Sequence, residues 1–135
     1  MKLDTNNHSV FKLEYHLILC INKGYKVIDS TVADRLKSIF EDLAPNYNIT
    51  LINWKPDNNN IQILFKGQPN TEISKFINAY KSASSRHIKN EVPSICKSLW
   101  RDTFWSQSFC LISTGEITQD IIDNYINRQT ITEDK

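Results

Sequence analysis

The chain predicts a two-layer α/β sandwich, with a mainly antiparallel sheet, two helices on one face and one more helix toward the C-terminal end. Three observations carry this. Apolar residues alternate in steps of two through 11–21, 49–54 and 60–65, the period of a strand. They recur at helical spacing through 30–43, 71–90 and 116–130. Short runs rich in Pro, Asn, Asp and Gly separate these segments. Strand–helix–strand–strand–helix–strand with a closing helix is the order of a ferredoxin-like sandwich.

In chain order, residues 1–10 are polar and read as a loose lead-in. In Phe11–Ile21, residues Phe11, Leu13, Tyr15, Leu17 and Leu19 share one side, while Ile18 and Cys20 make the other side apolar too, as in a central strand covered on both faces. His16 lies on that second face, as a structural histidine or a metal ligand. Asn22 to Lys26 is a turn. Asp29 or Ser30 caps a helix that buries Val32, Leu36, Ile39, Phe40 and Leu43 and ends at Pro45. Ile49–Trp54 and Asn60–Phe65 form a hairpin across the Pro56–Asn59 turn. Trp54 either covers the core edge or offers a face to a base.

The second helix, Thr71 to Asn90, buries Ile73, Phe76, Ile77, Tyr80 and Ile88. Lys75, Lys81, Arg86 and Lys89 occupy its remaining surface among Asn78, Ser82 and Ser85, a mixture suited to phosphate oxygens and also to plain solvent. Val92 to Thr103 is irregular, and the second half of Leu99–Ile112 is a strand. Trp100, Phe104, Trp105 and Phe109 beside Arg101 form either a stacking platform for unpaired bases or part of a core or dimer interface. After a turn at Thr114-Gly115, Thr118 opens the last helix, with Ile117, Ile121, Ile122 and Ile126 on its apolar side.

Composition narrows the function classes. The 135 residues are 40% hydrophobic and 23% charged, as in one ordinary globular domain spanning 1–135. No apolar run reaches the roughly 18–20 residues that span a bilayer, and Met1 to Val10 lack a signal-peptide core, so no membrane partner is expected and the expected compartment is the cytoplasm. Net charge is +1, so any nucleic-acid surface must come from local clustering. Cys20, Cys96 and Cys110 are odd in number and widely spaced, which argues against a zinc site or disulfide framework.

Two places stand out chemically. Asn60 and Gln62 share the face of their strand opposite Ile61, Ile63 and Phe65, and two polar side chains on a covered sheet face either bind something or hydrogen-bond locally at the strand end. Tyr125 borders the apolar stripe of the last helix, with Gln129 one turn further on the same face.

The strand around Asn60 and Gln62, the helix Ile73-Ser-Lys-Phe-Ile-Asn-Ala-Tyr-Lys-Ser-Ala-Ser-Ser-Arg86, the aromatic pairs near Trp100 and Trp105, and the Tyr125–Gln129 helix together resemble the small single-tyrosine transposases of the HUH superfamily. These enzymes move minimal bacterial insertion sequences as single-stranded DNA. The resemblance runs from about Phe11 to Gln129 and implies a homodimer, a DNA-hairpin partner and a tyrosine nucleophile at Tyr125. Family members hold a divalent metal with a His-hydrophobic-His strand and with the residue four after the tyrosine. Here those positions carry Asn60, Gln62 and Gln129, and Pro56-Asp57 stands two residues further ahead of the pair than in the family.

A phenol with a reference pKa of about 10 is a weak nucleophile near neutrality, and a metal that polarises the phosphate offsets this. Three neutral amide oxygens suit Mg²⁺ or Mn²⁺ in kind but supply no charge, so metal binding is expected to be weak. Two function classes follow: a hairpin-binding protein whose cleavage is impaired, or an active transposase using a rebuilt amide site. A third is a ferredoxin-like dimer with no nucleic-acid role. The expected DNA contacts are Lys75, Lys81, Arg86, Lys89 and Arg101.

Overall fold

The computed structural model describes residues 3–5, 10–113 and 119–132. Asp4–Thr5 (β1) and Val10–Phe11 (β2) form a small antiparallel pair ahead of the main sheet. The main sheet comprises β3 (Leu13–Cys20), β4 (Thr50–Pro56), β5 (Asn60–Gly67) and β6 (Cys110–Ser113), in the order β4-β5-β3-β6 with every neighbour antiparallel. The helices are α1 (Ser30–Leu43), α2 (Ile73–Glu91) and α3 (Gln119–Thr132). This is the ferredoxin-like order, with the first long strand inside the sheet and the strand after α1 at its edge.

β3 is central because both of its faces are apolar. Leu17, Leu19 and Ile21 join Ile61, Ile63 and Phe65 of β5 in the main core under α1 and α2. Phe40 sits in the middle of that core, edge-on to Phe76 at 5.1 Å and to Tyr80 at 5.3 Å between ring centroids. A bidentate pair from Arg35 to Glu91, at 2.7 and 3.0 Å, ties α1 to the end of α2. On the opposite face, Ile18 and Cys20 are covered by Ile122 of α3, with Cys110, Tyr125 and Ile126 packed around them. The two helices of one layer and the closing helix therefore take opposite sides of the sheet.

Several boundaries differ from the pattern reading for physical reasons. The lead-in is not wholly loose: β1 pairs with β2, and Asp4 meets the Lys66 ammonium at 3.2 Å. Asp29 is the α1 cap, its Oδ1 accepting the Val32 N–H at 2.8 Å. Pro45 does not simply end α1 but lies within a 3₁₀ turn, Ala44–Tyr47, closed by Asn48 at φ 58°. Pro56 belongs to β4 as its last residue, a place on an edge strand where no ladder donor is needed. The stretch after α2 resolves into two 3₁₀ turns, Pro93–Ser98 and Trp100–Asp102. The expected turn at Thr114-Gly115 and the helix opening at Ile117 and Thr118 lie outside the described residues. No helix among the described residues is long and apolar enough to cross a membrane.

Candidate functional site

The register of β3 against β5 sets the site. Cys20 pairs with Asn60 and Ile18 with Gln62, and directly paired residues share a face. Asn60 and Gln62 therefore lie on the side of the sheet that carries α3. Asn60 is 2% exposed. Its Nδ2 donates to Asn59 Oδ1 at 2.7 Å, while its Oδ1 is buried and accepts no hydrogen bond. One half of the amide is thus satisfied at the strand end, and the other is an orphan that costs about 1–3 kcal/mol if nothing reaches it. Gln62 is half-buried. Asp57 does not turn toward the pair: its carboxylate accepts the Asn58 N–H at 2.7 Å. Among the described residues no group of three or more His, Cys, Asp or Glu side chains could hold a metal ion. His16 lies on this face, where burial and then the nearby Lys55 charge hold its pKa below the ordinary histidine value.

Tyr125 and Gln129 meet the loop between Trp105 and β6. Ser108 Oγ lies 3.0 Å from the Tyr125 hydroxyl and donates to Gln129 Oε1 at 3.1 Å. Since the single hydrogen of the Ser108 hydroxyl goes to Gln129, the phenol is the donor toward Ser108. Ser106, itself 2% exposed, donates to the same Gln129 oxygen at 2.8 Å, so both lone pairs of that oxygen are taken. The Ser106 N–H in turn bonds the Cys20 carbonyl at 2.8 Å, which anchors the loop to β3 beside Asn60.

Lys81 holds the same loop from the other layer. Its ammonium donates to the carbonyls of Ser106 and Gln107 at 2.8 and 3.0 Å, and burial pulls its pKa below the ordinary lysine value. Lys81 also lines an open groove of about 590 Å³ between α2 and residues 102–105, together with Ser82, Ser85, Arg86 and Lys89. Lys75 is not in that lining. It is exposed and pairs with Glu72 at 3.8 Å. Arg101 stacks on Trp100, its guanidinium carbon 4.3 Å from the ring centroid.

The aromatic stretch divides. Phe104 and Trp105 are 1% and 5% exposed and belong to the main core, where the Trp105 indole donates to Ser84 Oγ at 2.9 Å. Trp105 is therefore not a surface on which a second copy of the chain can dock, whereas Trp100 is 40% exposed. Trp54 covers the core edge, with its ring against Phe40.

Pattern reasoning missed Ser106, Ser108, Lys23 and Asn59. The signal available was the alternation Ser106, Ser108, Cys110, which runs onto the α3 face of β6 before the strand formally begins.

This arrangement of a four-stranded antiparallel sheet, two helices on one face and a tyrosine helix on the other has relatives. Residues 9–129 match the sequence profile of the IS200-like transposases. The ISDra2 transposase TnpA of Deinococcus radiodurans is 32% identical over 120 residues, covering 89% of this chain and 86% of that protein. A protein of Deinococcus radiodurans R1, solved by crystallography and assigned as a transposase, superposes with a TM-score of 0.85 at 30% identity, covering 93% of this chain and 97% of that one. A REP-associated tyrosine transposase bound to a REP hairpin shares the fold at a TM-score of 0.58 and 10% identity, over 96% of this chain and 75% of that one. With the match running through both the Asn60 strand and the Tyr125 helix, the chain belongs to the IS200-like transposase family.

Proposed function

We propose that the protein binds single-stranded DNA folded into a hairpin, as a homodimer, and that it cleaves that DNA weakly or not at all. What supports DNA binding is the groove beside α2, where Arg86 and Lys89 stand among serine hydroxyls with no acidic residue on the helix side. The hairpin held by the REP-associated relative is a precedent for the partner. An outer strand at each side of the sheet, β4 and β6, supplies edges on which two copies can pair.

The observation that carries weakened cleavage is the state of the three amides. A Mg²⁺ or Mn²⁺ ion in this family polarises the scissile phosphate when bound. Here the Gln129 oxygen is already saturated by Ser106 and Ser108, the Asn60 oxygen is buried, and among the described residues no group of three or more His, Cys, Asp or Glu side chains is gathered to hold a metal ion. As arranged, this donor set does not fit such an ion.

One observation favours the alternative of an active enzyme: the Tyr125 phenol is held in a definite hydrogen bond beside Gln129 rather than left in solvent. A rebuilt site would need Gln129 to leave its serines.

The binding half of the reading is tested by titrating labelled hairpins at several salt concentrations. Affinity is expected to fall steeply as salt rises, and the slope to flatten by about two when Arg86→Gln and Lys89→Gln are combined. A protein that binds no hairpin at any salt concentration contradicts the reading.

A further inference from the structure

We propose that the exposed Trp100 ring, with Lys23 and Arg101 on it, is a seat for one unpaired nucleotide next to the hairpin stem. This rests on the hairpin-binding reading above and adds a specific contact to it.

Trp100 is the most exposed aromatic of its stretch, at 40%, while Phe104 and Trp105 go into the core. Two cations address its ring, Lys23 Nζ at 4.3 Å and the Arg101 guanidinium carbon at 4.3 Å from the centroid. The backbone has been bent to bring them there. Of the four non-glycine residues with positive φ among those described, three are in this patch: Lys23 at 64°, Arg101 at 52° and Asp102 at 57°. Residues held in that region persist where the surroundings force them, commonly at binding sites.

Location gives the patch its meaning. Asp102 and Thr103, the next residues, line the basic groove with Arg86 and Lys89. On the other side, the turn carrying Lys23 is fixed by the Asn22 N–H on the Phe104 carbonyl at 2.8 Å and by Asn59 Nδ2 on the Gly24 carbonyl at 3.4 Å. α3 packs against that same turn. The patch therefore adjoins the basic groove through Asp102 and the turn under α3 through Lys23.

The chemistry suits an unpaired base. Every base has a face that stacks on indole, so the contact tolerates sequence, and a guanidinium plane is itself a stacking surface. Arg101 is exposed and able to swing from the ring to the backbone oxygens as the base arrives, with Lys23 meeting the flanking phosphate. A paired base inside a stem presents no free face and gains nothing from the site.

The test uses two hairpins with the same stem, one blunt and one carrying a short single-stranded extension, titrated by fluorescence anisotropy. The unaltered protein is expected to prefer the extended hairpin. Trp100→Ala should weaken the extended probe by about tenfold while leaving the blunt one within about twofold, with Trp100→Phe in between. Arg86→Gln weakens both probes and so controls for the groove. Equal binding of both probes by the Trp100→Ala variant and the unaltered protein overturns the proposal, as does an equal loss on both probes, which marks a structural role. If the unaltered protein binds neither probe, the hairpin reading itself fails, and this inference fails with it.

Discussion

At the scale of single residues, Asn60 sets the chemistry of the site. Its place on a strand face opposite Ile61 and Ile63 is readable from alternation alone, and the β3–β5 register agrees with it. What alternation does not reveal is that the amide splits, with its nitrogen satisfied by Asn59 and its oxygen buried and orphaned. That depends on a side chain one residue away and on α3 covering the face. With its acceptors so arranged, Mn²⁺ at about millimolar concentration is expected to raise the melting temperature by less than about 2 °C, since stabilisation follows the ratio of ion to dissociation constant. A rise of several degrees that vanishes in Asn60→Ala Gln62→Ala contradicts this.

His16 on the same sheet face supplies a pH prediction. Its folded pKa lies below the ordinary value near 6.5, from burial first and Lys55 second. In the window just below 6.5 the unfolded chain holds more protons than the folded one, so stability rises with pH there and falls on acidification. Urea midpoints at pH 7 and pH 5.5 should therefore differ less in His16→Gln than in the unaltered protein. An equal drop in both removes His16 as the cause.

At the scale of elements, the best-read segments are those with long, regular periods. α1, α2 and β5 bury the residues that their spacing picks out, because hydrophobic burial dominates where one stripe faces one core. The segment from Val92 to Phe109 has no period to read, and its fold is set by tertiary bonds instead. Trp105 is drawn inward by a partner on α2, Ser84, and Ser106 by a β3 carbonyl. The same loop clasps α3 through Ser106 and Ser108, and Lys81 holds the loop's carbonyls from α2. Lys81, which the helix surface offers as a phosphate contact, thus has its ammonium committed to a structural role at the groove's edge. With hydrogen bonds each worth about 1 kcal/mol net, Ser106→Ala Ser108→Ala should speed amide exchange in α3 by about tenfold or more and leave α2 unchanged. Unchanged exchange in α3 means that the helix is held without these two serines, by packing such as that of Ile122 and Ile126 on Ile18 and Cys20.

At the scale of the whole molecule, a net charge of +1 hides a polarised surface, with Lys81, Arg86 and Lys89 of α2 lining one groove. Steering of DNA thus depends on one face and is sensitive to salt. The proposed assembly is a homodimer, for which the outer strands β4 and β6 offer sheet edges while the Trp105 ring is buried in the core. Light scattering at tens of micromolar should return twice the 15.7 kDa chain mass, and a monomer mass contradicts that assembly. On the proposed function, the fold and the tyrosine helix persist while the donor set at Asn60, Gln62 and Gln129 holds a metal ion poorly. A denaturing gel with a panel of hairpins and Mn²⁺ addresses it directly, because a cleavage intermediate through Tyr125 survives denaturation as a protein–DNA adduct. The unaltered protein should give little or no adduct, Asn60→His Gln62→His should give much more, and adding Tyr125→Phe to that double variant should abolish it. A strong adduct from the unaltered protein, lost in Tyr125→Phe, contradicts the account.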